Sequence, residues 1–240
     1  MLQIPFIIVC ILAITFAILF IVYYQKCNDC GESYTKGKSY SEDPNIINFI
    51  KGMPKTALHM HIEGSLEAPM AFSLAKKYNM LPLKVPKASG GVSIVNTLAE
   101  LEKVYQFKDL ESFLNIYNLL ATTLKKKEDF TELAWAYCKR VMGENVQHAE
   151  IFFDPQTHLA RGLSFAEVVD GIQEGLEKAR RKGLSVQLIC SFLRDHPVGQ
   201  ASDKTPPFTS KNPGSKPTAW DVIKQCVEYN KTTLMSGGSP

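Results

Sequence analysis

Apolar residues fill nearly every position from Ile4 to Tyr24, and no charged side chain interrupts them. A run this long matches the ~20 residues a helix needs to cross the hydrocarbon core of a bilayer. It is too long for an ordinary signal-peptide core, follows no Lys or Arg, and lacks a small-residue cleavage pattern. The pattern predicts a single-pass membrane anchor over residues 1–25, with Tyr23 and Tyr24 at the interface and Lys26 among the headgroups. An uncleaved or unusual signal sequence is the alternative. Lys26, Lys36 and Lys38 favour a cytoplasmic body, whereas the sequon Asn230-Lys231-Thr232 matters only on the opposite side, so the orientation stays open. Residues 26–45, rich in Ser, Gly, Lys and Asn, predict a tether.

Beyond the tether the periodicity changes. Asn45 to Lys51 predicts a short helix that Pro54 stops. Ala57 to Ile62 predicts a strand and Glu63-Gly64-Ser65 a turn, followed by a helical period over Glu67–Asn79. Pro82, Pro86 and Gly90-Gly91 predict a loop. Helical patterns follow in Asn96–Tyr105, Leu110–Thr123 and Lys127–Met142. Val146–Phe153 predicts a second strand, bounded by Asp154-Pro155. Ser164 and Glu167 form a capping-box signature for an amphipathic helix to Lys182, which Gly183 ends. Leu184–Leu193 is nearly all apolar, which predicts a strand covered on both faces of a parallel sheet. Val198–Thr218 reads as loop, Trp220–Asn230 as a last helix and residues 236–240 as a disordered tail.

Strand, helices, strand, helix, strand, helix is the order of about three βα units, hence α/β with a parallel sheet. Polar residues gather where each strand ends: His59 and His61, then Asp154 to His158, then Arg194 to His196. Side chains at the C-terminal ends of parallel strands converge on the ligand face.

Composition narrows the picture. The 240 residues are 45% hydrophobic and 10% aromatic, as in folded domains. The net charge of +3 is spread among mixed signs, and without a basic stripe interleaved with aromatics nothing predicts a nucleic-acid partner. Of the 6 cysteines, Cys10, Cys138 and Cys190 read as small apolar residues, not as a disulfide framework. Cys27 and Cys30 make a lone C-x-x-C with no second pair, too little for a zinc knuckle or a redox site.

Two residues apart on a strand, His59 and His61 point to the same side, where two neutral imidazoles can grip one divalent metal. Zinc suits such nitrogen ligands best. Taken alone, H-x-H is weak. The whole segment Met53 to Leu66, with Leu58-His59-Met60-His61-Ile62-Glu63-Gly64, resembles the opening strand of the adenosine and adenine deaminase family. Phe107 to Leu114 resembles that family's first lid helix. Ala149 to His158, with Phe153-Asp154-Pro155-Gln156-Thr157-His158, is similar to the second strand of the adenine-deaminase branch. Cys190 to Pro197 resembles the end of the third.

The resemblance implies the N-terminal portion of a (β/α)₈ TIM barrel within residues 46–235. It implies one zinc ion at the barrel mouth, which activates water for attack on purine C6, with a glutamate handling the proton and ammonia leaving. By position His59 and His61 are metal ligands, and His61, Glu63 and Gly64 lie toward the substrate. Glu63 is expected to face the sugar side or the site entrance. Phe113, Leu114 and Tyr117 belong to an apolar lid, unless they simply pack their helix. The family's remaining residues, a His-x-Gly-Glu segment, further histidines and an Asp-Asp pair, do not occur in this sequence. The expectation is a truncated purine aminohydrolase, weak or inactive as it stands. His158 and His196 read as polar loop residues in preference to replacement ligands, and His148 as a partly exposed spacer. The rival readings are a membrane-tethered, non-catalytic fragment or partner-binding paralogue, and another amidohydrolase that also uses H-x-H.

Overall fold

The first strand, β1 (Lys55–His61), runs parallel to β4 (Val146–Phe153), and β4 runs parallel to β5 (Ser185–Cys190), giving the order β1-β4-β5. The computed structural model describes residues 43–87, 90–194, 196–199 and 216–235. The expected membrane anchor, the C-x-x-C, nearly all of the tether and the tail lie outside the described residues. Among the described residues no helix is long and apolar enough to cross a membrane.

The chain divides into two units, residues 1–53 and 54–240. Of the first, residues 43–53 are described and hold α1 (Pro44–Gly52), whose N-cap Asp43 accepts a hydrogen bond from the Asn45 amide at 2.8 Å. All else belongs to the second.

After β1 a 3₁₀ turn (Ile62–Ser65) leads into α2 (Ala68–Lys77). The loop expected around Pro82 and Gly90-Gly91 is instead an antiparallel hairpin, β2 (Leu83–Pro86) and β3 (Val92–Val95). Leu83 and Val85 alternate inward and are buried, and the prolines hid this short period-2 signal. Pro86 ends its strand, where a missing N–H costs the ladder little. Next come α3 (Leu98–Val104), α4 (Leu110–Ala121) and α5 (Lys127–Gly143), close to the three helices read from the periodicity.

β4 has its predicted bounds, with Val146, Ala149, Ile151 and Phe153 buried. Asp154 to His158 is not a loop: α6 (Pro155–Leu159) forms there, with proline at its first turn, where no intrahelical donor is needed. The expected capping box is present in α7 (Phe165–Arg180), where the Ser164 hydroxyl accepts from the Glu167 amide at 3.2 Å. Gly183 follows with φ +94, a conformation that favours glycine. β5 is shorter than expected and half-exposed because it forms an edge of the described sheet. The last helix, α8 (Ala219–Met235), runs beyond its predicted end and contains the Asn230 sequon.

α7 packs on α5 at close range. A Cβ at Gly171 would meet the Lys127 carbonyl oxygen at 2.4 Å, and one at Gly175 would meet that of Thr131 at 2.7 Å. The core between helices and sheet holds Ile62, Leu101, Phe130, Leu133, Tyr137, Ile151, Ile172 and Leu176. Asp129 is fully buried within it, its carboxylate accepting from Lys77 Nζ, the Tyr78 hydroxyl and the amides of Lys125 and Lys126.

Candidate metal half-site

His61 is the last residue of β1 and pairs in register with Phe152 of β4. Paired residues of parallel strands project to the same face, and so do residues two apart. His59, His61 and Phe152 therefore form one ring cluster. The two histidine ring centroids lie 5.5 Å apart, and Phe152 sits 4.6 Å from His59 and 5.4 Å from His61. The histidines share one side of the sheet at the strand's C-terminal end, as their spacing required.

A carboxylate stands behind the pair. Asp154 directly follows β4, and its Oδ2 lies 2.9 Å from His61 Nδ1. The Tyr117 hydroxyl donates to the same oxygen at 2.7 Å. The Ser191 hydroxyl, directly after β5, donates to Asp154 Oδ1 and lies 2.9 Å from the Phe153 carbonyl oxygen, to which the Ser191 amide donates at 3.1 Å. Burial, then the charges of Glu63 and Asp154, push the Tyr117 hydroxyl well above its ordinary pKa, which keeps it a donor.

Glu63, expected to face the sugar side or the site entrance, lies in the 3₁₀ turn directly after β1. Its side chain is 1% exposed, turned into the protein behind the histidines. Its Oε1 accepts from the Asp154 amide at 3.0 Å and from His158 Nε2 at 2.9 Å. Tyr117 approaches Oε2 at 3.5 Å. The 3₁₀ turn after β1 buries Ile62 and Glu63 together and leaves Gly64 exposed, where an added Cβ would meet the Tyr117 ring at 3.7 Å. Glu63 thus holds neighbouring elements together.

His158 is likewise buried on α6, edge-on to Phe130. Burial pulls its pKa below the ordinary 6.5 against the opposing pull of Glu63. Arg161 Nη2 donates to His158 Nδ1 at 2.8 Å, which leaves Nε2–H to donate to Glu63. His196 lies half-buried in the loop after β5. Among the described residues no group of three or more His, Cys, Asp or Glu side chains is arranged to hold a metal, so neither histidine completes a set with His59 and His61. His148 keeps its spacer character at the side of β4, 2.7 Å from the Ser185 hydroxyl.

Of the expected lid residues, Tyr117 reaches the polar cluster, Phe113 packs 5.7 Å from its ring, and Leu114 is 42% exposed. Gln156 is fully buried, and it accepts from the Leu193 amide at 2.6 Å and donates to the Pro217 carbonyl at 3.1 Å. It anchors the segments beyond β5. The strand-end clustering of polar residues pointed toward Asp154 and His158, but their partners are 93 and 95 residues distant in sequence. The described cysteines Cys138, Cys190 and Cys226 are free thiols.

The family model described as adenosine deaminase matches residues 54–205. The chain belongs to the adenosine deaminase family. Within that family it is 49% identical over 143 residues to an adenine deaminase of Geotalea uraniireducens, covering 59% of this chain and 37% of the relative. It is 41% identical over 154 residues to an adenine deaminase of Emericella nidulans, covering 64% of this chain and 42% of that one. The chain spans about two fifths of the length of the curated relatives it matches. Among solved structures it is similar to an adenine deaminase from Arthrobacter aurescens, with a TM-score of 0.51 and 35% identity over 59% of this chain and 40% of that one. An amidohydrolase from Burkholderia ambifaria, solved with bound zinc, is 21% identical with a TM-score of 0.52, covering 64% of this chain and 40% of its own, a likeness of fold.

Proposed function

We propose that this chain supplies the first metal-binding strand of a zinc-dependent hydrolase that removes the 6-amino group of a purine, with adenine as the substrate. The observation that carries the reading is the His59–His61 ring pair at the end of β1. The donor chemistry fits. Two imidazoles share a face, and the Asp154 contact at His61 Nδ1 leaves Nε2 to serve as the ligating nitrogen. The adenine reading is supported by relatives 41–49% identical that are named adenine deaminases. The three parallel strands and their helices, with the adenine deaminase of Arthrobacter aurescens as a structural neighbour, support the N-terminal part of a (β/α)₈ barrel.

His59 and His61 would hold the zinc, and when bound it would polarise a water molecule toward the purine. The chain's own residues orient and enclose. Phe152 restrains both imidazoles, Asp154 fixes His61, and Phe113 with Tyr117 covers the adjoining polar cluster. Two ligands are one short of the three that a catalytic zinc ordinarily takes from protein. The sequence contains no His-x-Gly-Glu and no Asp-Asp, so the 240 residues alone are proposed to turn over adenine weakly or not at all.

Zinc titration of the purified chain by calorimetry, paired with an assay for hypoxanthine, tests this. The expected result is weak zinc binding that His59→Ala and His61→Ala each remove, with hypoxanthine near background. Zinc binding indifferent to both substitutions would overturn the half-site. Rapid, zinc-dependent hypoxanthine formation would overturn the incompleteness.

A further inference from the structure

We propose that Asp154 is a positioning residue that locks the His61 imidazole in its Nδ1–H tautomer and so presents Nε2 to a metal, an inference that rests on the half-site reading above. A carboxylate oxygen can only accept, so the hydrogen in the 2.9 Å contact between His61 Nδ1 and Asp154 Oδ2 resides on the ring. A neutral imidazole free in water prefers its proton on Nε2, which would turn the outward nitrogen into a donor. The Asp154 contact reverses that preference. The nitrogen left with a lone pair is Nε2, on a side chain that is 39% exposed.

The acceptor is itself fixed. Asp154 is 4% exposed and takes the Tyr117 hydroxyl on Oδ2 and the Ser191 hydroxyl on Oδ1, while its amide donates to Glu63 Oε1. Those four partners come from the turn after β1, the end of β1, helix α4 and the end of β5. One carboxylate therefore ties the three strand ends to the lid helix and sets the angle of the imidazole. Phe152, stacked on His61 at 5.4 Å, restricts the remaining ring rotation. A carboxylate behind a ligating histidine recurs in metal sites, where it sets the tautomer and raises ligand basicity.

The test uses the full metal-free chain labelled with ¹⁵N-histidine. Ring-nitrogen correlation spectra read the tautomer of His61, assigned by difference from His61→Gln. The expected result is Nδ1–H for His61 in the wild type, a shift to Nε2–H in Asp154→Ala, and zinc affinity lowered ~10- to 100-fold in that variant. Tyr117→Phe, which keeps the carboxylate, should retain the wild-type tautomer. An Nε2–H tautomer in the wild type overturns the proposal without any variant, and so does an unchanged tautomer in a folded Asp154→Ala chain. Where Asp154→Ala does not fold, Asp154→Leu, similar in size and without an acceptor, supplies the second reading: a shift to Nε2–H with weaker zinc binding supports the proposal, and an unchanged tautomer overturns it. A wild-type chain with the Nδ1–H tautomer but no zinc binding would support the positioning role and sink the half-site reading instead.

Discussion

His158 Nε2 donates to Glu63 Oε1 at 2.9 Å, and both side chains are closed to solvent. The pair joins α6 to the turn that follows β1. Arg161 closes the array from the far side and caps the Leu124 carbonyl at 3.1 Å with the same nitrogen that reaches His158. Burial pulls the Arg161 guanidinium down to about 10, against the opposing charge of Glu63. A neutral His158 is the species that fits, since it must accept from Arg161 and donate to Glu63 at once.

This arrangement predicts a dependence of stability on pH. Burial, only partly offset by Glu63, places the His158 pKa below 6.5 in the folded chain, so the unfolded chain binds the proton first as pH falls. The contribution of His158 is present above pH ~6.5 and is lost as acidification proceeds toward the lower folded value, at up to ~1.4 kcal/mol per pH unit. Urea midpoints measured from pH ~7 to ~5 should fall in the wild type and fall less steeply in His158→Gln. Gln can still donate to Glu63 and accept from Arg161, but it takes up no proton. Equal slopes in the two chains would refute the assignment.

Asp129 presents a second buried charge with a different balance. Burial alone would raise its pKa, but the bonds from Lys77, Tyr78 and the amides of Lys125 and Lys126 outweigh that and lower it. Asp129→Ala strands those donors and should cost about 3 kcal/mol in chemical denaturation. A loss within experimental error would show that the network contributes nothing net.

The α5–α7 contact is limited by backbone approach. A methyl group at position 175 would lie 2.7 Å from both the Thr131 carbonyl oxygen and Ala134 Cβ, closer than atoms of those types tolerate. Gly175→Ala should therefore destabilise the domain by about 1–3 kcal/mol, although alanine is the better helix former. A thermal melt separates the outcomes, since propensity acting alone would raise the midpoint.

The apolar run from Ile4 to Tyr24 makes a prediction about partitioning. The full chain should stay with membranes through an alkaline carbonate wash, and deletion of residues 1–25 should release it. Release of the full chain by that wash would rule out a spanning anchor.

Much of the site was legible in the chain. The spacing of His59 and His61 fixed their common side because strand side chains alternate, a local property that needs no partner. The bounds of β4 and the capping box of α7 followed from equally local signals. The hairpin β2–β3 was not legible, because two four-residue strands interrupted by proline leave too short an alternation. The inward turn of Glu63 was hidden for a related reason. Its position after the motif suggested an outward carboxylate, and nothing nearby in sequence reveals a histidine 95 residues later that draws it inward.

Local periodicity determined by itself the βα order, the parallel sheet and the shared side of two imidazoles, since backbone geometry repeats every two residues in strands and about every four in helices. Tertiary structure alone decided which carboxylate stands behind His61 and which way Glu63 turns. Those choices depend on strand ends far apart in sequence meeting where water is excluded, and there every buried charge must find its hydrogen-bond partners.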